Sequence, residues 1–488
     1  MKKQKSVGLN AILNMIKSGL LVVFPLVTFP YATRVLGVEN IGKVNYSSSI
    51  VSYFTLFAAL GITTYAVREG AKIRDDKDKL ARFANEAFTL NVFTACCSYV
   101  LLFIVLIVSA KLRDYRLLIL LQSLSIVFTT IGVDWLNTIH EDYLLITVRS
   151  IVTNLASILV LFLFVKEPND YYIYAMLNVL TNAIIGISNL YYCRRYTKVR
   201  LCFDRRIFRH LKSSVVFFAN SLAVSIYVSA DTTMLGLISG DYFVGIYAVA
   251  VKVYNIIKTL LASLYVVAIP RLSYFVGNDR MDEFKKLYSR IIIILLLLLL
   301  PCMAGLISLS QEIILILSGA EYLGAVKPLQ ILSVGLIFAI FGGAVTNCLN
   351  IPLQREMVNM KATIISAITN IVLNLFFITH FQHNGAAFTT VISELMVFGF
   401  CALSFKEWKK VLEFKRVLKN LIHAFIGMIS VFAICYIVSS FYTGSFMISI
   451  IIKLFLCIFV YAFELIILRN EYAKYFLKKI KSKVLSRG

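Results

Sequence analysis

Residues 291–310 read IIIILLLLLLPCMAGLISLS, twenty positions without a charge, and comparable apolar runs recur along the whole chain. A run of about 20 apolar residues is what one helix needs to cross the hydrocarbon core of a bilayer. No water reaches that core to satisfy a bare N–H or C=O, so each run has to close its own hydrogen bonds as a helix. Hydropathy places fourteen such spans, beginning with 9–33 and 44–67, passing through 213–238 and 243–269, and ending with 420–440 and 446–468. At 59% hydrophobic and 15% charged residues, the 488-residue chain holds more apolar surface than a water-soluble fold can bury. The expected fold class is therefore an all-α polytopic membrane protein of about 14 transmembrane helices. The first run, from about Leu9 to Phe29, is long and has no small-residue cleavage site, so it reads as the first span and not as a signal peptide.

A net charge of +23 would suggest nucleic acid in a soluble protein. Here the cations fall in short clusters between the apolar runs, where they meet anionic lipid headgroups, and no nucleic-acid partner is expected. Alternate connections, starting from the N-terminus, hold 37 of the 49 Lys and Arg residues, and the opposite connections hold 5. The positive-inside bias then makes both termini cytoplasmic, which an even number of spans requires. The basic connections 193–212 and 271–290 read as amphipathic segments lying along the headgroups. Short outer connections argue against an extracytoplasmic catalytic domain, and no GxxxxGK[ST] phosphate loop occurs. Nine scattered cysteines and the pair His380/His383, placed in an outer loop, give no metal-ligand set. No catalytic residue, metal or cofactor is expected.

The stretch PYATRVLGVENIGK (30–43) joins the first two spans, and a similar phrase returns in TMLGLISGDYFVGIY (233–247). Both carry Leu-Gly and then a later Gly, with a gap that differs by four residues. Beyond the second glycine the match is gapless: Arg68 lies 26 residues after Gly42, and Arg271 lies 26 after Gly245. Two related six-helix halves follow, parallel because six is even, with two added C-terminal helices. The domains expected are an N-terminal lobe 1–200, a C-terminal lobe 201–405, and 406–488 for the added helices and basic tail.

Polar residues within the repeat keep helical spacing. Asn10, Asn14 and Lys17 share one face of span one; Asn45, Ser49 and Ser52 one of span two; Asn220, Tyr227 and Asp231 one of span seven; Lys252, Asn255 and Thr259 one of span eight. Polar faces in lipid turn toward protein or water, so a water-filled cleft lined by these four spans is expected. Pro25, Pro30 and Pro301 are candidate kinks.

The wording PYATRVLGVENIGKVNYSSSIVSYFTLFAALGITTYAVREGAK resembles the start of bacterial polysaccharide repeat-unit flippases, the Wzx-type O-antigen and capsule transporters. These belong to a superfamily with multidrug (MATE) exporters and the lipid II flippase. The resemblance covers about residues 20–75 in wording and the whole chain in topology. It implies a two-lobed transporter of the bacterial inner membrane that moves an undecaprenyl-diphosphate-linked oligosaccharide outward by alternating access. Its partners would be that lipid, membrane lipids, and the polysaccharide polymerase with its chain-length machinery. The family has no short invariant signature, so the implied site is a set of cavity cations: Lys17, Arg34, Arg68, Lys252 and Arg271, with Arg149 a further candidate and Asn14 and Asn255 as polar partners.

Each of these residues also has a plainer reading. Lys17 is a cavity anion contact or a lysine snorkelling to headgroups. Arg34 marks an outer mouth or is an interfacial anchor paired with Glu39, and the positive-inside bias alone accounts for Arg68 and Arg271. Asp231 is a structural partner for a cation or a coupling site. Asp134, Glu394 and Glu464 also fall within spans, and the sequence pairs none of them. A cation-coupled multidrug exporter is the alternative within transport, disfavoured by the mid-span cations. A membrane polymerase or glycosyltransferase is the alternative outside it, disfavoured by the short outer loops.

Overall fold

The computed structural model describes the backbone of residues 7–140, 142–202, 204–442 and 444–474, and their side chains except at 7–18, 20–23, 143–145, 205, 216, 219, 220 and 227. Among the described residues every regular element is helical. The first helices in chain order are α1 Val7–Ala59, α2 Ile62–Lys72, α3 Lys77–Val108, α4 Arg116–Gly132, α5 Trp135–Ile139, α6 Tyr143–Phe164, α7 Tyr171–Tyr192 and α8 Leu211–Ile238. They are followed by α9 Asp241–Val266, α10 Ile269–Gly277, α11 Met281–Ser308, α12 Ser310–Leu317, α13 Val326–Ala344, α14 Glu356–Leu403, α15 Trp408–Val411, α16 Phe414–Phe441 and α17 Phe446–Ile467.

Eleven helical runs among the described residues are long and apolar enough to cross a membrane, where hydropathy expected fourteen spans. The difference comes largely from α1 and α14, each of which joins two helices across a kink that falls where a connection is expected, at Gly37 and at Gln382. α1 is 53 residues long, about 80 Å at 1.5 Å per residue, which is more than twice a bilayer core. It leaves helical geometry only at Gly37 (φ 74°, ψ 173°), and it runs through Pro25 and Pro30. α14, 48 residues long, joins two helices across a kink at Gln382 (φ 47°, ψ −126°), so His380 and His383 flank the break, where a connection between spans is expected. α11 likewise continues through Pro301.

The chain forms two compact units, Met1–Ala248 with Asn370–Ala386 and Val249–Thr369 with Ala387–Gly488. These packing units cut the chain elsewhere than the repeat does, since α8 lies with the first. In that unit α1 packs against α3, α4, α6 and α8, and α7 packs against α4 and α6. A core of Ile62, Phe83, Leu90, Trp135 and Leu136 fills one end of it. On α6 the residues Val148, Val152, Leu155 and Leu159 share one exposed apolar face, the side a membrane helix turns to lipid.

The connection 193–212 differs from the amphipathic segment expected. It has short 3₁₀ turns at Cys193–Arg195 and Arg205–His210 and is bonded to α3. The Arg200 and Cys202 N–H groups donate to Asn85 Oδ1 (2.8 Å) and Thr89 Oγ1 (2.9 Å). Arg209 and His210 both reach the buried Glu86 carboxylate, at 2.6 and 2.7 Å, and Tyr65 OH lies 2.7 Å from His210 Nδ1. A carboxylate buried at a helix end needs such partners, and the connection supplies them.

In the second unit α11 packs against α16 and α13, and α16 against α17. Beyond α17, Glu471 takes two hydrogen bonds from Arg416 (2.7 and 3.1 Å), and that guanidinium holds its carboxyl below the usual carboxylate range.

The repeated glycines acquire a reason. Gly240 (φ 93°) precedes Gly245 by five residues, as Gly37 (φ 74°) precedes Gly42. The two positive-φ glycines are therefore the equivalents, GVENIG against GDYFVG, with no gap. The pairing of Gly37 with Gly236 is corrected, because Gly236 serves to admit the Tyr46 ring. The second glycines meet reciprocally: a Cβ on Gly42 would lie 1.9 Å from the Asp241 carbonyl oxygen, and one on Gly245 would lie 2.1 Å from that of Val38. Each glycine thus faces the residue four positions before the other, as a two-fold relation between repeats requires. Small residues let helix backbones approach this closely in a membrane.

Gly42→Val and Gly245→Val are each expected to destabilise the detergent-solubilised protein by about 1–3 kcal/mol, since the obstructing atoms are backbone. The double variant is expected to cost little more than either single, because both act on one contact. Thermal or denaturant unfolding checks this, and additive losses would show that the glycines act independently.

Candidate functional site

The polar faces read from the sequence resolve into distinct clusters, best followed within each unit. In the first, Ser49, Ser52 and Tyr53 on α1 face Ser229 and Thr233 on α8: Thr233 Oγ1 lies 2.8 Å from Ser49 Oγ and 3.2 Å from Tyr53 OH, and Ser52 Oγ lies 3.4 Å from Ser229 Oγ. Spacings of three and four residues put each set on one helix face. On the opposite side of α8, two residues from both Ser229 and Thr233, Asp231 is 4% exposed and accepts from Tyr247 OH (3.1 Å) and Asn374 Nδ2 (2.6 Å). Asn374 in turn donates to Asn370 Oδ1 at 3.1 Å. Hydrogen bonds from neutral donors stabilise a buried carboxylate without requiring an adjacent cation.

Arg149, on α6, has a side chain only 10% exposed, and its Nη2 donates to Asp134 at 2.7 Å. The pair opens onto a cavity of about 270 Å³ walled by Asp134 and residues of α5, α6 and α7. Arg34 and Arg68 are exposed; Arg68 donates to Glu69 at 2.9 Å and lies over the Phe217 ring. Arg34, Arg68, Arg149 and Asp231 thus share a unit but sit in separate surroundings. The side chains of Asn14 and Lys17 lie outside the described residues.

The second unit holds Lys252, half-buried on α9, with Asn255 exposed one turn later. Arg271, on α10, is exposed and borders a cavity of about 370 Å³ with Lys286, Arg290, Arg416 and Tyr472. This is a cationic site at the end of the unit that carries the basic connections, suited to phosphate groups. Among the described residues no three His, Cys, Asp or Glu side chains cluster to hold a metal ion.

Two ion pairs in this unit are not legible in the sequence. Glu394, on α14 and 6% exposed, accepts from Lys258 Nζ (2.5 Å) and Tyr254 OH (3.0 Å), both on α9. Glu312, on α12, takes Lys453 Nζ of α17 at 2.6 Å. Tyr254 and Lys258 are one helical turn apart, a hint of a shared polar partner, but which acid they meet depends on helix packing. Asp134, unpaired in the sequence reading, meets Arg149, and Glu464 accepts from Ser430.

Residues 7–276, just over half of the chain, match the family model described as "Polysaccharide biosynthesis protein", and residues 217–376 match that described as "MatE". A protein of Escherichia coli (strain K12) named as an O-antigen transporter is 26% identical over 267 residues, covering 54% of this chain and 64% of its own length. A Shigella dysenteriae protein of the same name is 22% identical over 393 residues, 80% of this chain and 97% of that protein. Among solved structures, the lipid II flippase MurJ in an inward closed conformation superposes with a TM-score of 0.74 at 17% identity, over 95% of this chain and 99% of that one. At that identity the likeness is one of fold: the chain has the two-lobed, all-helical architecture of these transporters.

Glu394→Leu alone is expected to cost about 3–5 kcal/mol of stability by leaving Lys258 charged and unpartnered in an apolar surround, whereas Lys258→Met/Glu394→Leu should recover most of it. Thermal unfolding in one detergent checks this; a double variant as unstable as the single would show that the pair is not what holds α9 to α14.

Proposed function

Because the chain belongs to the polysaccharide biosynthesis protein family, we propose that it is a flippase for an undecaprenyl-diphosphate-linked oligosaccharide. It would carry this lipid from the cytoplasmic to the outer leaflet of a bacterial inner membrane, by alternating access, for O-antigen or capsule synthesis. The observation that carries this reading is the family match across residues 7–276, which includes both copies of the glycine repeat. The proposal is of a transporter and not an enzyme, with fourteen crossings, repeat lobes 1–200 and 201–405, added helices in 406–488, and both termini cytoplasmic. The orientation rests on 37 cations against 5 in alternate connections. The polymerase and chain-length machinery are proposed to act on the exported lipid.

Sugar hydroxyls and a diphosphate do not cross hydrocarbon unaided, because each unpaired polar group costs kilocalories and each charge more. In this reading Lys17, Arg34, Arg68, Lys252 and Arg271 offer cations to the diphosphate along its path, and Asn14 and Asn255 offer amides to the sugars. Asp231 is assigned the structural role, supported by its bonds to Tyr247 and Asn374. The MatE match favours a second reading, a cation-coupled multidrug exporter. Cationic drugs would be repelled by the intramembrane cations, so the flippase stands first.

Two negative charges moved outward from a negative interior gain roughly 4–5 kcal/mol per 100 mV if the protein cations stay behind. Collapsing the membrane potential of proteoliposomes is therefore expected to slow export of the lipid-linked oligosaccharide with no pH gradient present. An unchanged rate would move Asp231 to a coupling role. A deletion strain is expected to accumulate the lipid-linked oligosaccharide on its inner leaflet, and normal export in such a strain would refute the flippase.

A further inference from the structure

The cavity beside Arg149 has features that a structural ion pair does not need. The guanidinium side chain is nine-tenths buried, and among the described residues only Nη2 is engaged; Nε and Nη1, both inaccessible from the surface, donate to no acceptor there. Leaving such donors unmatched is unfavourable. Packing does not force the residue there. At 100° per residue the face of α6 bearing Arg149, Ser150, Thr153 and Asn154 points away from the face that exposes Val148, Val152, Leu155 and Leu159. The arginine is therefore held on the protein side, against α7, where Thr181 completes the wall.

The wall's hydroxyls are arranged to accept. Ser150 Oγ donates to the Ile146 carbonyl (2.8 Å), Thr153 Oγ1 to that of Arg149 (2.9 Å) and Thr181 Oγ1 to that of Leu177 (2.9 Å). Each spends its single proton on its own helix; Thr181 Oγ1 also accepts from Ser157 Oγ (2.7 Å), which leaves it one lone pair, and Ser150 and Thr153 keep theirs. The cavity thus presents the Arg149–Asp134 pair on one side and hydroxyl oxygens on the other. Arg149 and Asp134 cancel in charge, so an anion gains little there. A ligand bearing several neutral hydroxyls, each able to give and take a bond, matches every group. The volume, about 270 Å³, lies just under the ~300 Å³ of the smallest drug-sized pockets and suits one ring.

We propose that this cavity is a saccharide subsite, in which Arg149 and Asp134 bind vicinal hydroxyls of a single sugar ring while Asn154 and Thr181 line its far side. The proposal rests on the flippase reading for its ligand, the glycan of the lipid-linked substrate, and separates neutral sugar recognition from the cations that meet the diphosphate.

The test uses the oligosaccharide freed by mild acid from the lipid-linked material of a deletion strain, titrated calorimetrically into the purified full-length protein in detergent. The wild type is expected to bind it, and Arg149→Met and Thr181→Val to weaken binding at least tenfold, with Arg149→Lys regaining part of the loss. Thr181→Val changes one hydroxyl for a methyl, so it keeps the test available if Arg149→Met does not fold. No binding by the wild type, or wild-type affinity in the folded variants, overturns the subsite. Flipping of the intact lipid is measured in parallel. Flipping without sugar binding sinks the subsite alone, and sugar binding without flipping sinks the flippase reading while leaving the subsite in place.

Discussion

The approach of two backbones at Gly42 and Gly245 is the constraint on which the first unit depends. A single methyl at either position would collide with a carbonyl oxygen, of Asp241 or of Val38. Neither obstruction can turn aside as a flexible side chain could. The contact fixes where α9 begins relative to the second half of α1, and it lets the hydroxyl faces of α1 and α8 meet through Ser49, Tyr53 and Thr233. Lipid supplies no hydrophobic force between helices, so close packing and polar bridges of this kind carry the association.

Much of this was legible in the amino-acid sequence, because a bilayer leaves few choices. Runs such as 291–310 can only be helices, and the glycine repeat announced two related halves. The repeat's register was read four residues out, since Leu-Gly occurs by chance at 235–236 and local identity outweighed backbone geometry. The φ values of Gly37 and Gly240, both positive, were the information needed, and no residue letter carries them. The break between the first two spans falls in the expected connection, at Gly37, whose conformation is closed to other residues, whereas the candidate kinks Pro25 and Pro30 fit within α1.

The polar residues divide in the same way. Spacing placed Asp231 on a polar stripe, because its neighbours lie on the same helix. It could not reveal that Glu394 meets Lys258, or that Glu312 meets Lys453, partners separated by 136 and 141 positions. Those bonds depend on which helices pack together, a tertiary property. The connection 193–212 illustrates the converse. Its basic composition suggested a headgroup-lying helix, and the buried Glu86 at the end of α3 instead draws Arg209 and His210 onto the protein.

The pairs Lys258–Glu394, Lys453–Glu312 and Arg149–Asp134 each join opposite charges within 2.7 Å. Electrically each is a short dipole, and a transmembrane field exerts almost no net force on it. Voltage that falls across these helices therefore does little work on the pairs themselves and acts on unbalanced charge, the passenger's included.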